Sequence, residues 1–324
     1  MRRGTMLELA AEHGVRLPDV LTSDRPLRLH GTDEKGWFRF QRLYDTARSV
    51  LQREADVRRL LHEVAADERA DGSGWLEIQV DPSGYAARFG GLTAFLELVL
   101  DAAADASAAS RVGIGVVVGA NRTKHPLEAR TLARLAAQHA GRGVVGFGLA
   151  NDERRGRAEE FEAAFRIARQ AGLPAVPHGG ELVGPSSVRA CVESLRAARV
   201  GHGIRGAEDP AVVALLAERA VACEVCPASN LALGVYASIG EVPLPALVAA
   251  GVPVALGADD PLLFGARLTD QYELVREGLA VDDEQLARLA ADSVRASTAP
   301  DDVRARLLAG VDAWLRTPLL PSVG

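Results

Sequence analysis

The stretch Leu173-Pro174-Ala175-Val176-Pro177-His178-Gly179-Gly180-Glu181 joins a short apolar run to a histidine, two glycines and a glutamate. The apolar part is too short for a buried helix and reads as a strand covered on both faces. Polar residues of this kind at a strand's end are what the mouth of a parallel α/β fold requires. Two further segments repeat the arrangement downstream. Ala198-Arg199-Val200-Gly201-His202-Gly203 ends in a histidine between glycines, and Val252 to Leu256 leads into Gly257-Ala258-Asp259-Asp260-Pro261.

Working outward, strands are expected over 75–80, 112–118, 143–149, 173–177, 198–201, 221–225 and 252–256. Ala/Leu/Arg-rich stretches of helical period lie between them, at 93–106, 127–139, 158–171, 186–197, 210–219 and 243–250. Helices are also expected over 7–12 and 37–64 before the first strand, and over 268–278, 283–296 and 300–315 after the last. Strict alternation of strand and helix implies a doubly wound sheet or a closed barrel. The chemistry decides between them. His178, His202 and Asp259 follow three different strands, and only in a barrel do such ends converge on one mouth. An open sheet would gather its ligand contacts at one switch point, commonly with a Gly-rich phosphate turn, and no G-x-G-x-x-G follows the first strand. The fold class is therefore α/β, a (β/α)8 barrel with seven recognisable strands, and one domain is expected over 1–324.

Bulk properties set outer limits. The 324 residues are 48% hydrophobic and 25% charged, as in a globular chain with a large core. The formal net charge of -6 argues against a nucleic-acid polymer as partner. No apolar run reaches the roughly 18 residues of a membrane span, and no signal-peptide core follows Met1, so no membrane association and a cytoplasmic location are expected. Cys191, Cys223 and Cys226 form an odd set, as reduced thiols do. Cys223-Glu224-Val225-Cys226 has the C-x-x-C spacing of redox and zinc sites, but a four-cysteine zinc site needs a second pair, and the chain has none.

The residue types at the strand ends point to metal-assisted hydrolysis. A neutral imidazole such as His178 is a good zinc ligand, and a carboxylate three residues on, Glu181, can move protons in the same cavity while a metal activates water. Taken alone, His178 also fits a hydrogen-bonded loop histidine. His202 sits where flanking glycines let the backbone turn and approach a ligand, although glycines there also fit a simple turn. Asp259 and Asp260 repel each other unless a cation or a proton intervenes, with a solvated helix cap before Pro261 as the plainer reading. Trp37, Phe38 and Phe40 fit a cover over the mouth or ordinary helix packing.

Taken together, His178-Gly179-Gly180-Glu181, Val200-Gly201-His202-Gly203, Cys226-Pro227-Ala228-Ser229-Asn230 and Asp259-Asp260-Pro261 resemble four ordered motifs of the adenosine deaminase family of metal-dependent amidohydrolases. Gly146 to Glu153 also looks like that family's fourth-strand loop, and the resemblance extends through Asp292-Ser293-Val294. It implies that His178 and Asp259 bind one zinc ion, that Glu181 protonates the purine ring, and that His202 orients the attacking water. Asp260 would contact the imidazole side of the purine, and Asn151 would lie at the substrate contact of the fourth-strand loop. The implied reaction converts adenosine, a small-molecule purine nucleoside, to inosine and ammonia. Other readings are deamination of adenine or of another adenosine-containing metabolite, and a non-catalytic purine-binding protein. A metal-free phosphate-binding barrel is disfavoured, since Asp259 and Asp260 would repel the anion.

The chain departs from the pattern in three places. Gly179 stands in place of the family's alanine, and Asn151 stands where many members have glycine. The family's first strand carries H-x-H, which supplies two zinc ligands, and that motif is absent. The seven histidines are His13, His30, His62, His125, His139, His178 and His202, with no two closer than fourteen positions. Thr5 to Ala10 resembles the helix that follows H-x-H in the family, so the native polypeptide is expected to carry one more strand upstream. Weak zinc binding and little deaminase activity are expected of residues 1–324.

Overall fold

The computed structural model describes residues 1–23, 27–29 and 36–317; His30 lies outside them. The seven expected strands form one parallel sheet: β1 (Trp75–Val80), β2 (Gly113–Asn121), β3 (Val144–Ala150), β4 (Ala175–Gly179), β5 (Arg199–His202), β6 (Ala222–Val225) and β7 (Val254–Leu256). Each strand pairs with its neighbour in sequence, in the order β1 to β7. The register places Leu149 beside Pro177, His178 beside Gly201 and Val225 beside Leu256, so the C-terminal ends of β3 to β7 lie side by side. Among the described residues β1 and β7 do not pair with each other. The sheet is a curled half-barrel with a seam between its two edges.

Alternation along each strand separates two environments. Val200 on β5, Cys223 and Val225 on β6, and Val254 and Leu256 on β7 belong to the main apolar core, with Leu96, Val99, Phe147 and Phe165. That core lies between the sheet and helices such as Leu92–Ser110, Pro126–Gln138 and Glu162–Gln170. The opposite parity, Glu77 and Gln79 on β1, Arg199 and Gly201 on β5, and Glu224 on β6, lines the interior cavity. A second cluster packs Met6, Leu9, Trp37 and Phe40 against Leu233, Leu263 and Phe264. Here Phe40 stacks on Phe264 with ring centroids 5.4 Å apart. Trp37 and Phe40 are buried in this cluster and also line the cavity, whereas Phe38 is exposed beneath the Arg155 guanidinium.

The helix expected over 37–64 is two helices, Gly36–Arg48 and Glu54–Ala70. The break has a local cause. The buried carboxylate of Asp56 accepts the N–H groups of Gln52 at 2.9 Å and Arg53 at 2.8 Å, and a ring nitrogen of His13 lies 2.9 Å from it. A carboxylate turned back onto these orphan donors starts a new helix rather than continuing an old one. Val50 and Leu51, between the two helices, bury their side chains in the second cluster. The expected helix over 158–171 likewise begins as a 3-10 turn, Ala158–Phe161, before Glu162–Gln170.

A buried ion cluster ties the two halves of the curled sheet together. Arg199 on β5 pairs with Glu77 on β1 and, at 2.8 Å, with Glu224 on β6; it also donates to the Ala296 carbonyl at 2.6 Å. Glu77 in turn accepts the N–H of Thr298 at 2.6 Å and its hydroxyl at 2.8 Å, beyond the helix Asp283–Ala296 that packs on β7. Burial by itself would raise the Glu77 carboxyl. The Arg199 charge and the Thr298 donors outweigh it and hold the group below its ordinary 4.5. Glu77 is therefore the ionised anchor of the cluster.

A carboxylate with a depressed pKa stabilises the fold above its unfolded value and ceases to do so as pH falls through its folded value. We expect Glu77→Gln to cost about 2–3 kcal/mol of unfolding free energy at pH 7, because Arg199 keeps only part of its pairing. In denaturant titrations, the gap between this variant and the unsubstituted chain should narrow as pH drops below 4.5. A gap that widened in acid would contradict the assignment.

Candidate functional site

The strand ends deliver the polar side chains in different ways. His178 shares the inward parity of Val176 on β4. Parity on β5 would instead send His202 with Val200 into the core, but its φ of +63° re-aims the side chain, and Gly203 continues the turn at φ +69°. Asn151 after β3 and Asp259 after β7 also have left-handed backbones, at φ +83° and +56°. Non-glycine residues held in that region cluster where a fold fixes side chains for function. Gly201 makes room for the site, since a Cβ there would meet the His178 ring at 2.5 Å.

The two imidazoles sit edge to face with centroids 4.9 Å apart. Nε2 of His202 lies 3.6 Å from an Oε of Glu181, and both side chains are buried. Nδ1 of His202 is buried without a protein partner among the described residues. Potential metal-donor atoms fall in two groups, each within 4.8 Å: His178, Glu181 and His202, and His202, Cys226 and Asp259. The geometry thus brings His178, Glu181 and Asp259 around His202, while His178 and Asp259 fall in different groups. Asp259 is exposed at the cavity and Asp260 half-buried. Asn151 also lines the cavity, with its side-chain amide donating to Gln41 at 3.1 Å.

Burial sets the proton affinities. It pushes the Glu181 carboxyl up to about 7; the Asp259 and Glu153 charges push the same way, and His202 and Arg122 oppose them. Burial, with His202 and Arg122 nearby, holds His178 well below the ordinary histidine value, leaving a neutral ring with a free lone pair. For His202, burial works downward, but the Glu181, Asp259, Glu153 and Glu224 carboxylates prevail and raise it. Burial and the neighbouring Asp259 charge raise Asp260, so its carboxyl holds a proton more readily than an ordinary aspartate.

Several neighbours carry no signal in the sequence. Arg122, wholly buried, donates to the His178 carbonyl at 2.5 Å, and Gln79 on β1 reaches within 3.5 Å of the His178 ring. Cys226 enters the site although its C-x-x-C partner does not. Three positions apart along β6 and its end, Cys223 faces the core and Cys226 faces the cavity, and all three cysteines are free and buried. Burial and the Asp259 charge raise the Cys226 thiol well above its ordinary value, so it stays protonated. The cavity joining these groups has a volume of about 2110 Å³ and extends from the strand ends down to the seam. That exceeds the roughly 300–1,000 Å³ of a small-molecule pocket, because the seam is part of it.

The adenosine deaminase family model matches residues 1–314. A putative adenosine/adenine deaminase from Streptomyces virginiae is 61% identical over 97% of this chain and 93% of its own length. The solved adenine deaminase from Arthrobacter aurescens superposes with a TM-score of 0.88 at 28% identity, covering 98% of this chain and 95% of that one. An amidohydrolase structure from Burkhoderia ambifaria with bound Zn shares the fold, with a TM-score of 0.86 at 21% identity over 97% and 87% of the two chains. No described helix is long and apolar enough to cross a membrane. With the match running across the site and nearly the whole sequence, the chain belongs to the adenosine deaminase family, hydrolases that act on C–N bonds.

Proposed function

We propose that the chain hydrolyses the 6-amino group of a purine and releases ammonia, converting adenosine to inosine or adenine to hypoxanthine. The observation that carries this reading is the buried pair of Glu181 and His202, 3.6 Å apart at the strand ends. A carboxyl raised to about 7 can give a proton to a ring nitrogen near neutral pH and take one back. His202, its proton held by four surrounding carboxylates, is suited to orient water and stabilise negative charge on it. Asp260, protonated more readily than usual, can donate to a nitrogen on the imidazole side of the purine, and Asn151 borders the same cavity. The adenosine reading draws support from the family and from the name of the Streptomyces virginiae relative. The adenine reading draws support from the named function of the Arthrobacter structure.

Zinc fits the donor chemistry in part. In this reading His178, neutral, and Asp259 are the ligands, but their donor atoms fall in separate groups that share only His202, so the residues present do not by themselves complete one site. A bound zinc ion supplies an activated water at neutral pH. Two protein ligands are fewer than the three a catalytic zinc site normally has, so weak binding by residues 1–324 is expected.

Ammonia release from adenosine, adenine and a second 6-aminopurine nucleoside, with zinc supplied, tests the reaction and ranks the substrates by kcat/KM. Glu181→Gln should lower kcat by about 10²–10⁴-fold with little change in KM. Purine binding without ammonia release from any of the three at saturating zinc would overturn the deaminase reading in favour of a non-catalytic binder. For the metal, calorimetric titration should show His178→Ala or Asp259→Ala weakening zinc by on the order of tenfold or more, and Cys226→Ser by less. An equal loss in Cys226→Ser would make the thiol a ligand and undo this assignment.

A further inference from the structure

Between the end of β4 at Gly179 and the helix Pro185–Glu193, the chain makes a turn whose backbone belongs to neither element. Its N–H groups still need acceptors, because a buried amide without a partner is costly. All four successive donors find them in one side chain. Glu153, buried in the loop after β3, accepts the Gly180 N–H at 2.5 Å on Oε1, and those of Glu181, Leu182 and Val183 at 3.0, 2.7 and 2.8 Å on Oε2. Consecutive N–H groups converging on one point form the kind of concavity that binds anions. Here the protein's own carboxylate fills it.

We propose that Glu153 is a positioning residue: by gathering the four amides of 180–183 it fixes the turn that aims the Glu181 carboxyl at His202. The assignment rests on the role given above to Glu181. Arg122 supplies the other anchor, donating to the carbonyl of His178 just before the turn. The β2 and β3 ends therefore hold both sides of the segment that carries His178 and Glu181. A residue that only filled space would need neither a charge nor two oxygens. Glu153 uses both, since hydrogen bonds to an ionised acceptor are roughly twice as strong as neutral ones.

Glutamine keeps the reach of Glu153 but replaces one acceptor oxygen with a donor, and alanine removes the acceptors altogether. Amide exchange followed by NMR on the full chain should show 180–183 exchanging about tenfold or more faster in Glu153→Ala, with Glu153→Gln between it and the unsubstituted protein, while β4 and β5 amides stay unchanged. In the same proteins kcat should fall roughly tenfold to a hundredfold, with KM within about threefold, as expected when a reacting group is misdirected while the purine pocket stays intact. If Glu153→Ala does not fold, Glu153→Gln carries the comparison. Unchanged exchange at 180–183 would overturn the proposal. So would acceleration throughout the sheet, or a rise in KM at constant kcat, which mark a general structural role or a binding role. Failure of the zinc-saturated unsubstituted chain to release ammonia overturns the deaminase reading alone, and the exchange comparison then decides the turn assignment by itself.

Discussion

A parallel sheet that curls without closing has no hydrogen-bonded seam to hold its curvature, and in this chain a guanidinium does that work from inside. Arg199 bridges β5, β6 and β1 within the half-barrel, and Glu77 passes the connection on to Thr298 beyond the helix that covers β7. A buried charge is tolerated only when its hydrogen-bonding capacity is largely filled, and two carboxylates and a carbonyl surround this one. Outside the sheet, Arg267 repeats the device by pairing with Asp71 across the same seam. The strand ends keep their mutual positions because these ionic contacts stand where backbone pairing between β7 and β1 is absent among the described residues.

The chemistry at the mouth follows from that placement. The inward parity of each strand delivers His178 and Cys226 directly, and local left-handed turns at Asn151 and His202 bring in side chains that parity would send elsewhere. Burial of these groups together raises Glu181 and lowers His178, so one residue offers a proton and the other a lone pair. Opposed shifts in neighbouring titratable groups are characteristic of acid–base sites.

Much of this was legible in the residues themselves. The apolar runs at 75–80 and 252–256 and the polar residues just after 173–177 and 198–201 located the strands and the side of the sheet that carries the chemistry, since a two-residue period and a change in polarity are local properties. The break at Asp56 was not legible, because it depends on a carboxylate reaching back to Gln52 and Arg53 and on His13, 43 positions away. Arg122 and Gln79 were silent for the same reason, and Glu153, although it ends the recognised fourth-strand loop, gave no sign of its role. Their significance lies in contacts with backbone and side chains 27 to 99 positions distant, which composition and periodicity do not encode. The C-x-x-C spacing misleads in the opposite sense: at a strand end, an odd spacing turns its two thiols to opposite faces.

The strand order has a further consequence for how the chain reaches this state. Every strand pairs with the next one in sequence, so each pairing closes a short loop and requires little chain entropy beyond the last. Contacts across the seam are of another kind: Glu77 meets Arg199 at a separation of 122 residues and Thr298 at 221, and Asp71 meets Arg267 at 196. The sheet can grow by neighbour addition as the chain lengthens, but its curvature is locked only when the last helices arrive. The sheet is thus built from contacts between successive strands and its curvature from contacts that span most of the chain, the class with the larger loop-closure entropy.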